Sequence, residues 1–396
     1  MTTAVRRVVV VGAGAAGLTA AESLRADGFD GDLTLVGAEA HPPYDRPPLS
    51  KQLLAGTWEP ARLELLAGHR YDELRITRRL GAPATAADLA RRTVRVNGDE
   101  LPYDALLIAT GVRPRTLPGA ARLRGVHVLR TIDDAAAFQA AALAAGRVVV
   151  VGAGFLGAEV AATLRGLGVA VTLVDPRPGP LVRQLGPAVS GLVADLHAEH
   201  GVDLRTGITV EGLTSDDGRV TGVRLGDGTV LATSCVLVAV GCLPVTDWLA
   251  GSGLDLADGV SCDASCRAAP GVFAAGDVAR WFHPELGESI RVEHRTNATE
   301  QAMAAARGVL GGDEPYRPVP YFWSDQYDTK IQAYGRLAGA DRFAVASGSP
   351  EERRFVALYG RGERVTGVLG WRSPRELLRA RALVAEAVPW RDAAPA

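Results

Sequence analysis

The sequence predicts an α/β fold in which two similar parallel-sheet domains, one inserted into the other, precede a smaller α+β domain. Three observations carry this prediction. A β-branched strand running into a glycine turn and an alanine-rich helix occurs twice, 140 residues apart. Two further apolar runs, Leu106–Gly111 and Val236–Gly241, each end in glycine with a proline close behind, where a chain leaves one domain for another. Beyond Gly311-Gly312 the pattern changes to short alternating segments closed by a helix.

Composition agrees. A chain of 396 residues points to two or three domains. At 47% hydrophobic, 22% charged and net charge −2, it is an ordinary globular protein. A disordered, fibrous or nucleic-acid-coating chain is excluded. No apolar run reaches the roughly 18 residues of a membrane span, so no membrane partner is expected. The four cysteines, Cys235, Cys242, Cys262 and Cys266, all lie past the midpoint, which excludes a disulfide-stapled secreted scaffold. Of 43 lysines plus arginines only Lys51 and Lys330 are lysines, a bias that GC-rich codon usage explains.

The first element, Val8–Val11, is too short for the apolar region of a signal peptide, and Glu22 and Arg25 follow soon after. It reads as a buried strand, and the protein as cytoplasmic. Gly12-Ala-Gly14-Ala15-Ala16-Gly17 then forms a G-x-G-x-x-G turn before a helix at 18–26. Its counterpart is Gly152-Ala-Gly154-Phe155-Leu156-Gly157, before a helix at 158–166. In such a turn the first glycine allows the tight bend and the second admits a pyrophosphate. The third lets helix pack on strand, and the free helix N-terminus attracts the phosphates. Each unit ends in a second strand with an acid at its tip, Glu39 after Leu33–Val36 and Asp175 after Val171–Val174. A carboxylate there accepts hydrogen bonds from ribose hydroxyls. Two complete units predict two dinucleotides, FAD and NAD(P)H, without saying which unit takes which. Gly271–Gly276 is another apolar strand, ending in Asp277, which either caps a helix or holds the ribitol of a flavin.

With these segments in place the chain resembles the flavoprotein reductases with two dinucleotide-binding domains and a glutathione-reductase-like fold. The first glycine turn, Ala109-Thr110-Gly111, the second glycine turn and Ala275-Gly276-Asp277 follow that family's order and spacing. Pro43–Lys51 (PYDRPPLSK), Arg291–His294 (RVEH) and Phe322–Tyr327 (FWSDQY) are similar to NADH-dependent, putidaredoxin reductase-like ferredoxin reductases. Those enzymes serve haem-thiolate monooxygenases and Rieske-type aromatic-ring dioxygenases. The resemblance covers essentially the whole chain. It implies an FAD-binding domain at 1–113 and 241–313, an NAD(H)-binding domain at 114–240 and an α+β domain at 314–396.

The resemblance also implies site roles. FAD would be held by Gly12, Gly14, Ala15, Ala16, Gly17, Glu39, Arg46, Lys51, Ala109, Thr110, Gly111, Gly241, Gly276 and Asp277, with Ala84 at the adenine and Arg130 matching a flavin contact. NADH would be held by Gly152, Gly154, Phe155, Leu156, Gly157, Glu159 and Asp175. Lys51 and Glu159 form the catalytic pair beside flavin N5, although Glu159 alone also reads as a first-turn helix acid. Glu293 and His294 precede a helix at 296–310 whose N-terminus faces the flavin pyrimidine. Trp323 is either a cover for the ring or a core tryptophan. Three departures from the family stand out. Ala38 replaces an Asp, shifting the ribose contact to Glu39. Arg295 replaces a Trp at the pyrimidine end. Asp175 replaces a Glu and favours NADH by repelling a 2′-phosphate, against which Arg177 close behind would partly rescue NADPH.

Relatives that reduce disulfides carry a cysteine pair beside the flavin, yet residues 1–234 contain no cysteine. Cys262 and Cys266 are four apart but lack further ligands nearby, so no metal is expected and all four cysteines read as structural. Electrons would then leave singly for a [2Fe–2S] ferredoxin, feeding a monooxygenase or dioxygenase. From residue 314 on there are 13 basic against 10 acidic residues, and 30 against 35 before it. A mildly positive face suits an acidic ferredoxin, and equally a solvated surface. The alternatives are a reductase of rubredoxin, a quinone or a small oxidant, and an NADH-sensing signalling flavoprotein. Either a monomer or a homodimer is compatible with the sequence.

Overall fold

The computed structural model describes residues 5–395 and divides into two compact units. The first comprises residues up to Asp45, Ala61–Arg113 and Leu243–Pro318. The second comprises Arg46–Pro60, Pro114–Cys242 and Val319 onward.

The first unit is built on a six-stranded sheet in the order Arg267–Ala269, Val272–Ala274, Ala105–Ile108, Arg7–Val11, Asp32–Val36, Ile76–Arg79. All neighbours run parallel except the first pair. Every residue of Val8–Val11 and Ala105–Ile108 is buried, so both faces of these strands are covered, as their continuous apolar runs require. The helices Ala15–Ala26 and Arg295–Val309 cover the sheet through Leu18, Ala21, Leu24, Ala302, Ala305 and Val309. Two three-stranded sheets, beginning at Ala84 and Val260, complete the unit.

The second unit repeats the plan with a five-stranded parallel sheet: Asp203–Thr206, Ala170–Asp175, Arg147–Val151, Val236–Val238, Val126–His127. Its helix Val182–Glu199 is kinked at Gly186-Pro187, where proline cannot continue the ladder. The same unit contains an antiparallel sheet in the order Tyr321–Gln326, Thr329–Gly335, Arg364–Trp371, Arg354–Arg361, Arg342–Ser349. Leu185, Val189, Val193 and Leu196 share one core with Ile331, Phe355, Leu369 and Trp371. This burial ties the C-terminal sheet to the second dinucleotide-type domain.

Boundaries differ from the sequence reading in physically simple ways. Both helices after the glycine turns start earlier, at Ala15 and Phe155, because Gly14 O and Gly154 O already accept the first helical bonds. The helix expected at 296–310 runs Arg295–Val309, and the helix that begins at Pro374 stops at Ala385, before Ala387 adopts φ +47° and a short last helix, Trp390–Ala393. FWSDQY, read only as a motif, lies on the edge strand Tyr321–Gln326 except for Tyr327, which begins the turn after it. Among the described residues no helix is long and apolar enough to cross a membrane.

Candidate functional site

The two glycine turns are near copies. Gly12 and Gly152 have φ of +118° and +107°, and a Cβ on either would lie 2.0 and 2.3 Å from the Ala109 and Ala239 carbonyl oxygens. A Cβ on Gly17 or Gly157 would lie 1.8 Å from the carbonyl oxygen of the first glycine. The middle glycines are different: nothing lies within 4 Å of a Cβ on Gly14, and only Gln184 Nε2, at 3.9 Å, on Gly154. Both cap helices of 12 residues without any side-chain cap. The turns are therefore closed around their first and third glycines and open at the second. Free N–H groups and the positive end of the helix dipole meet that opening, the arrangement that fits a pyrophosphate.

Around the first turn, Ala16 and Gly17 are buried and Ala15 is half-buried. Glu39 is half-buried, and its Oε2 accepts from Tyr44 Oη at 2.5 Å. Ala109 is buried behind Gly12, while Thr110 Oγ1 donates to Val245 O at 2.7 Å, and Gly111 O accepts from Val245 N at 2.9 Å. Ala84 opens the first three-stranded sheet. Gly276 N–H donates to Gln301 Oε1 at 2.9 Å, and Gln301 is completely buried. Asp277 is half-buried, and its carbonyl accepts from Arg291 Nη1, which also binds Glu293 Oε1 at 2.6 Å. His294 is the N-cap of Arg295–Val309, and burial pushes its imidazole down to about 4, against the opposing charge of Glu293. Arg295 Nε binds Asp45 Oδ1 at 2.5 Å, so the charge that replaces the family's tryptophan is half-buried and neutralised.

Around the second turn, Phe155 and Leu156 are half-buried. Asp175 is only 3% exposed. Its Oδ2 accepts from Ala153 N at 2.8 Å and its Oδ1 from Arg177 N at 2.9 Å. The carboxylate thus braces the glycine turn, and Arg177 Nη1 stands 3.9 Å away. Gly241 is exposed, and its carbonyl accepts from Arg115 N at 2.9 Å.

The candidate catalytic pair lies within the second unit. Pro47–Ser50 is a 3₁₀ turn started by its prolines. Thr163 Oγ1 holds it through Ser50 O (2.8 Å), Gln139 Nε2 through Leu54 O (2.7 Å), and Arg46 Nη1 reaches Arg130 O (2.6 Å). Arg130 N in turn donates to Asp134 Oδ2, the capping box acid of the next helix. Lys51 Nζ then meets Glu159 Oε2 at 2.6 Å, with side chains 12% and 9% exposed. Ser50 Oγ donates to the same oxygen at 2.6 Å, and Ser324 Oγ donates to Oε1 at 2.9 Å. A buried carboxylate with one ammonium and two hydroxyls is satisfied on both oxygens, the condition under which burying a charge is tolerable.

Trp323 is half-buried on the opposite face of its strand from Ser324 and stacks on Tyr321 at 6.0 Å. The sequence reading passed over Ser50, Ser324 and Gln301. Ser50 sits beside the quoted lysine, but Ser324 and Gln301 carry no local signal. Burial raises the thiols of Cys235 and Cys266 to about 12 and Cys262 well above its ordinary value. No group of metal-ligating residues occurs among the described residues.

Two family models match: pyridine nucleotide-disulphide oxidoreductase over residues 6–305, and reductase C-terminal over residues 321–396. The chain is 38% identical to rhodocoxin reductase of Rhodococcus erythropolis, over 96% of this chain and 90% of that one. It is also 38% identical to the ferredoxin–NAD(+) reductase component of the anthranilate 1,2-dioxygenase system of Burkholderia cepacia, over 95% and 93%. The crystal structure of the ferredoxin reductase for the CYP199A2 system of Rhodopseudomonas palustris superposes with a TM-score of 0.94. That alignment has 33% identity and covers 98% and 97% of the two chains. This chain therefore belongs to the pyridine nucleotide-disulphide oxidoreductase family, in its branch of ferredoxin reductases that carry a reductase C-terminal domain.

Proposed function

We propose that the protein is an FAD-containing NADH:ferredoxin oxidoreductase that passes electrons to a [2Fe–2S] ferredoxin of a monooxygenase or dioxygenase system. The observation that carries this reading is the Lys51–Glu159 pair, standing in a reductase whose first 234 residues hold no thiol. FAD, when bound, supplies the conversion of a two-electron hydride donor into single-electron steps.

The residues then divide as follows. Gly12, Gly14, Gly17, Glu39 and Asp277 hold FAD, with the uncapped N-terminus at Gly14 facing its pyrophosphate. Gly152, Gly154, Gly157 and Asp175 hold NADH in the same way. With FAD bound, Lys51 would supply a positive charge to the flavin, and Glu159 with Ser50 keeps that ammonium in place. No obligate proton transfer is assigned to either, because the hydride is cofactor chemistry. The carboxylate of Asp175 disfavours a 2′-phosphate, which selects NADH. A cytoplasmic location is part of the proposal.

Stopped-flow mixing with NADH tests the first half: rapid flavin bleaching is expected. Titration with purified ferredoxins, rubredoxins and quinones tests the second, with turnover fastest on a [2Fe–2S] ferredoxin. Turnover on none of the iron–sulfur proteins overturns the ferredoxin assignment. Sluggish bleaching favours a signalling flavoprotein instead.

A further inference from the structure

Glu159 is the end of a longer buried chain, all of it inside the second unit. Ser324, which donates to Glu159 Oε1, is fully buried and lies 3.2 Å from Gln326 Nε2. Gln326, also fully buried, faces His197 Nε2 with its Oε1 at 2.9 Å. His197 Nδ1 meets Tyr327 Oη at 3.0 Å, and Tyr327 stacks on His200 with ring centroids 3.6 Å apart. Ser324 and Gln326, two apart on one strand, share the face turned toward Phe155 and Glu159.

The polarity of this chain follows from its members. An amide oxygen only accepts, so His197 carries its proton on Nε2 and donates to Gln326. Nδ1 of the neutral ring then accepts from the Tyr327 hydroxyl. The Gln326 amide N–H donates to Ser324, whose own proton goes to the carboxylate. Burial lowers the His197 pKa to about 4, so the ring remains neutral at physiological pH. Every donor points toward Glu159, and hydrogen bonds aligned head to tail polarise one another. A primary amide in the middle does not relay protons, so the chain is a fixed anchor. Tyr327 holds this place at φ +54°, a left-handed conformation that a bulky residue rarely adopts.

We propose that the C-terminal domain completes the Lys51–Glu159 pair: Ser324 is a positioning residue for Glu159, its hydroxyl aimed by the Tyr327–His197–Gln326 chain. The carboxylate is thereby gripped on both oxygens. Oε2 stays on Lys51 and Ser50, and the ammonium cannot drift with a rotating partner. This rests on the reading of Lys51 and Glu159 as the reacting pair.

The test uses the holoenzyme with Ser324→Ala, Ser324→Thr and Gln326→Met, and follows flavin bleaching by NADH without any ferredoxin. Ser324→Ala is expected to lower the limiting rate about tenfold while the dissociation constant for NADH changes less than about twofold. Ser324→Thr restores most of the rate, and Gln326→Met, which keeps Ser324, gives a smaller loss in the same direction. Should Ser324→Ala not fold, Gln326→Met carries the comparison. Independently of activity, ¹⁵N NMR of the imidazoles should show His197 neutral at pH 6 and protonated on Nε2. A parent-like rate in Ser324→Ala, or His197 protonated on Nδ1, overturns the proposal. A parent protein that NADH does not bleach refutes the functional reading instead, and the imidazole spectrum still decides the polarity of the chain.

Discussion

Lys51 Nζ and Glu159 Oε2 stand 2.6 Å apart across 108 residues of sequence, both nearly enclosed. Removing one partner of such a pair leaves a buried charge, which costs about 3 kcal/mol or more. Lys51→Met should therefore lower unfolding stability by about that amount and slow NADH-driven flavin bleaching. Lys51→Arg should also slow bleaching, because a planar fork does not reproduce a compact ammonium. Lys330 provides the control. It sits opposite Asp325 in the strand register, at 3.4 Å and half exposed, where a surface pair contributes little. Lys330→Arg should match the parent in both stability and bleaching, and equal behaviour of the two arginine variants would remove Lys51 from the mechanism.

The glycines of the first turn separate folding from binding. Gly12→Ala forces a Cβ onto the Ala109 carbonyl at a strained φ, and should destabilise the protein by about 2 kcal/mol or more. Gly14→Ala meets no protein atom and should leave the melting temperature of the apoprotein unchanged. Its flavin content, read from the ratio of visible to ultraviolet absorbance, should nevertheless fall severalfold. Full flavin content in Gly14→Ala would mean that the opening is not where the pyrophosphate lies.

His197 makes stability depend on pH. Its folded pKa of about 4 lies below the roughly 6.5 of an unfolded histidine, so the unfolded chain binds the extra proton. Stability is complete above pH 6.5 and is lost as the pH falls toward 4. Between pH 7 and 5 the loss from this residue is about 2 kcal/mol. His294, lowered to about 4 by burial, acts with the same sign. Urea unfolding at the two pH values should show a shallower dependence in His197→Gln than in the parent, and identical slopes would contradict it.

The cysteines should be chemically silent. Cys235 and Cys266 are fully buried, with thiols raised to about 12, and burial raises the Cys262 thiol well above its ordinary value. The thiolate is the nucleophile, so alkylation of the native protein at pH 7.5 should leave these three unmodified. NADH-dependent reduction should be unchanged by the treatment. Loss of activity together with labelling at Cys262 or Cys266 would reopen a dithiol route.

Much of the site was legible because its parts are local. A glycine that must take positive φ, a glycine whose Cβ would strike its neighbour and a β-branched strand buried on both faces are short-range requirements. They appear wherever the chain makes that turn, and Gly12–Gly17 and Gly152–Gly157 announce themselves for this reason. The acids at the strand tips follow from the same geometry. The two glycine turns with their flanking strands, the α/β class and a C-terminal segment of short strands were therefore readable from the residues alone. What surrounds Glu159 was decided elsewhere. Ser50, His197 and the strand that carries Ser324 and Gln326 come from separate stretches, with Glu159 and Ser324 separated by 165 positions and His197 and Gln326 by 129. A serine on a strand and a histidine on a helix carry no mark of their partners. Folding brings them into one buried chain, because a hydrogen bond depends on distance and angle in space and not on spacing along the sequence.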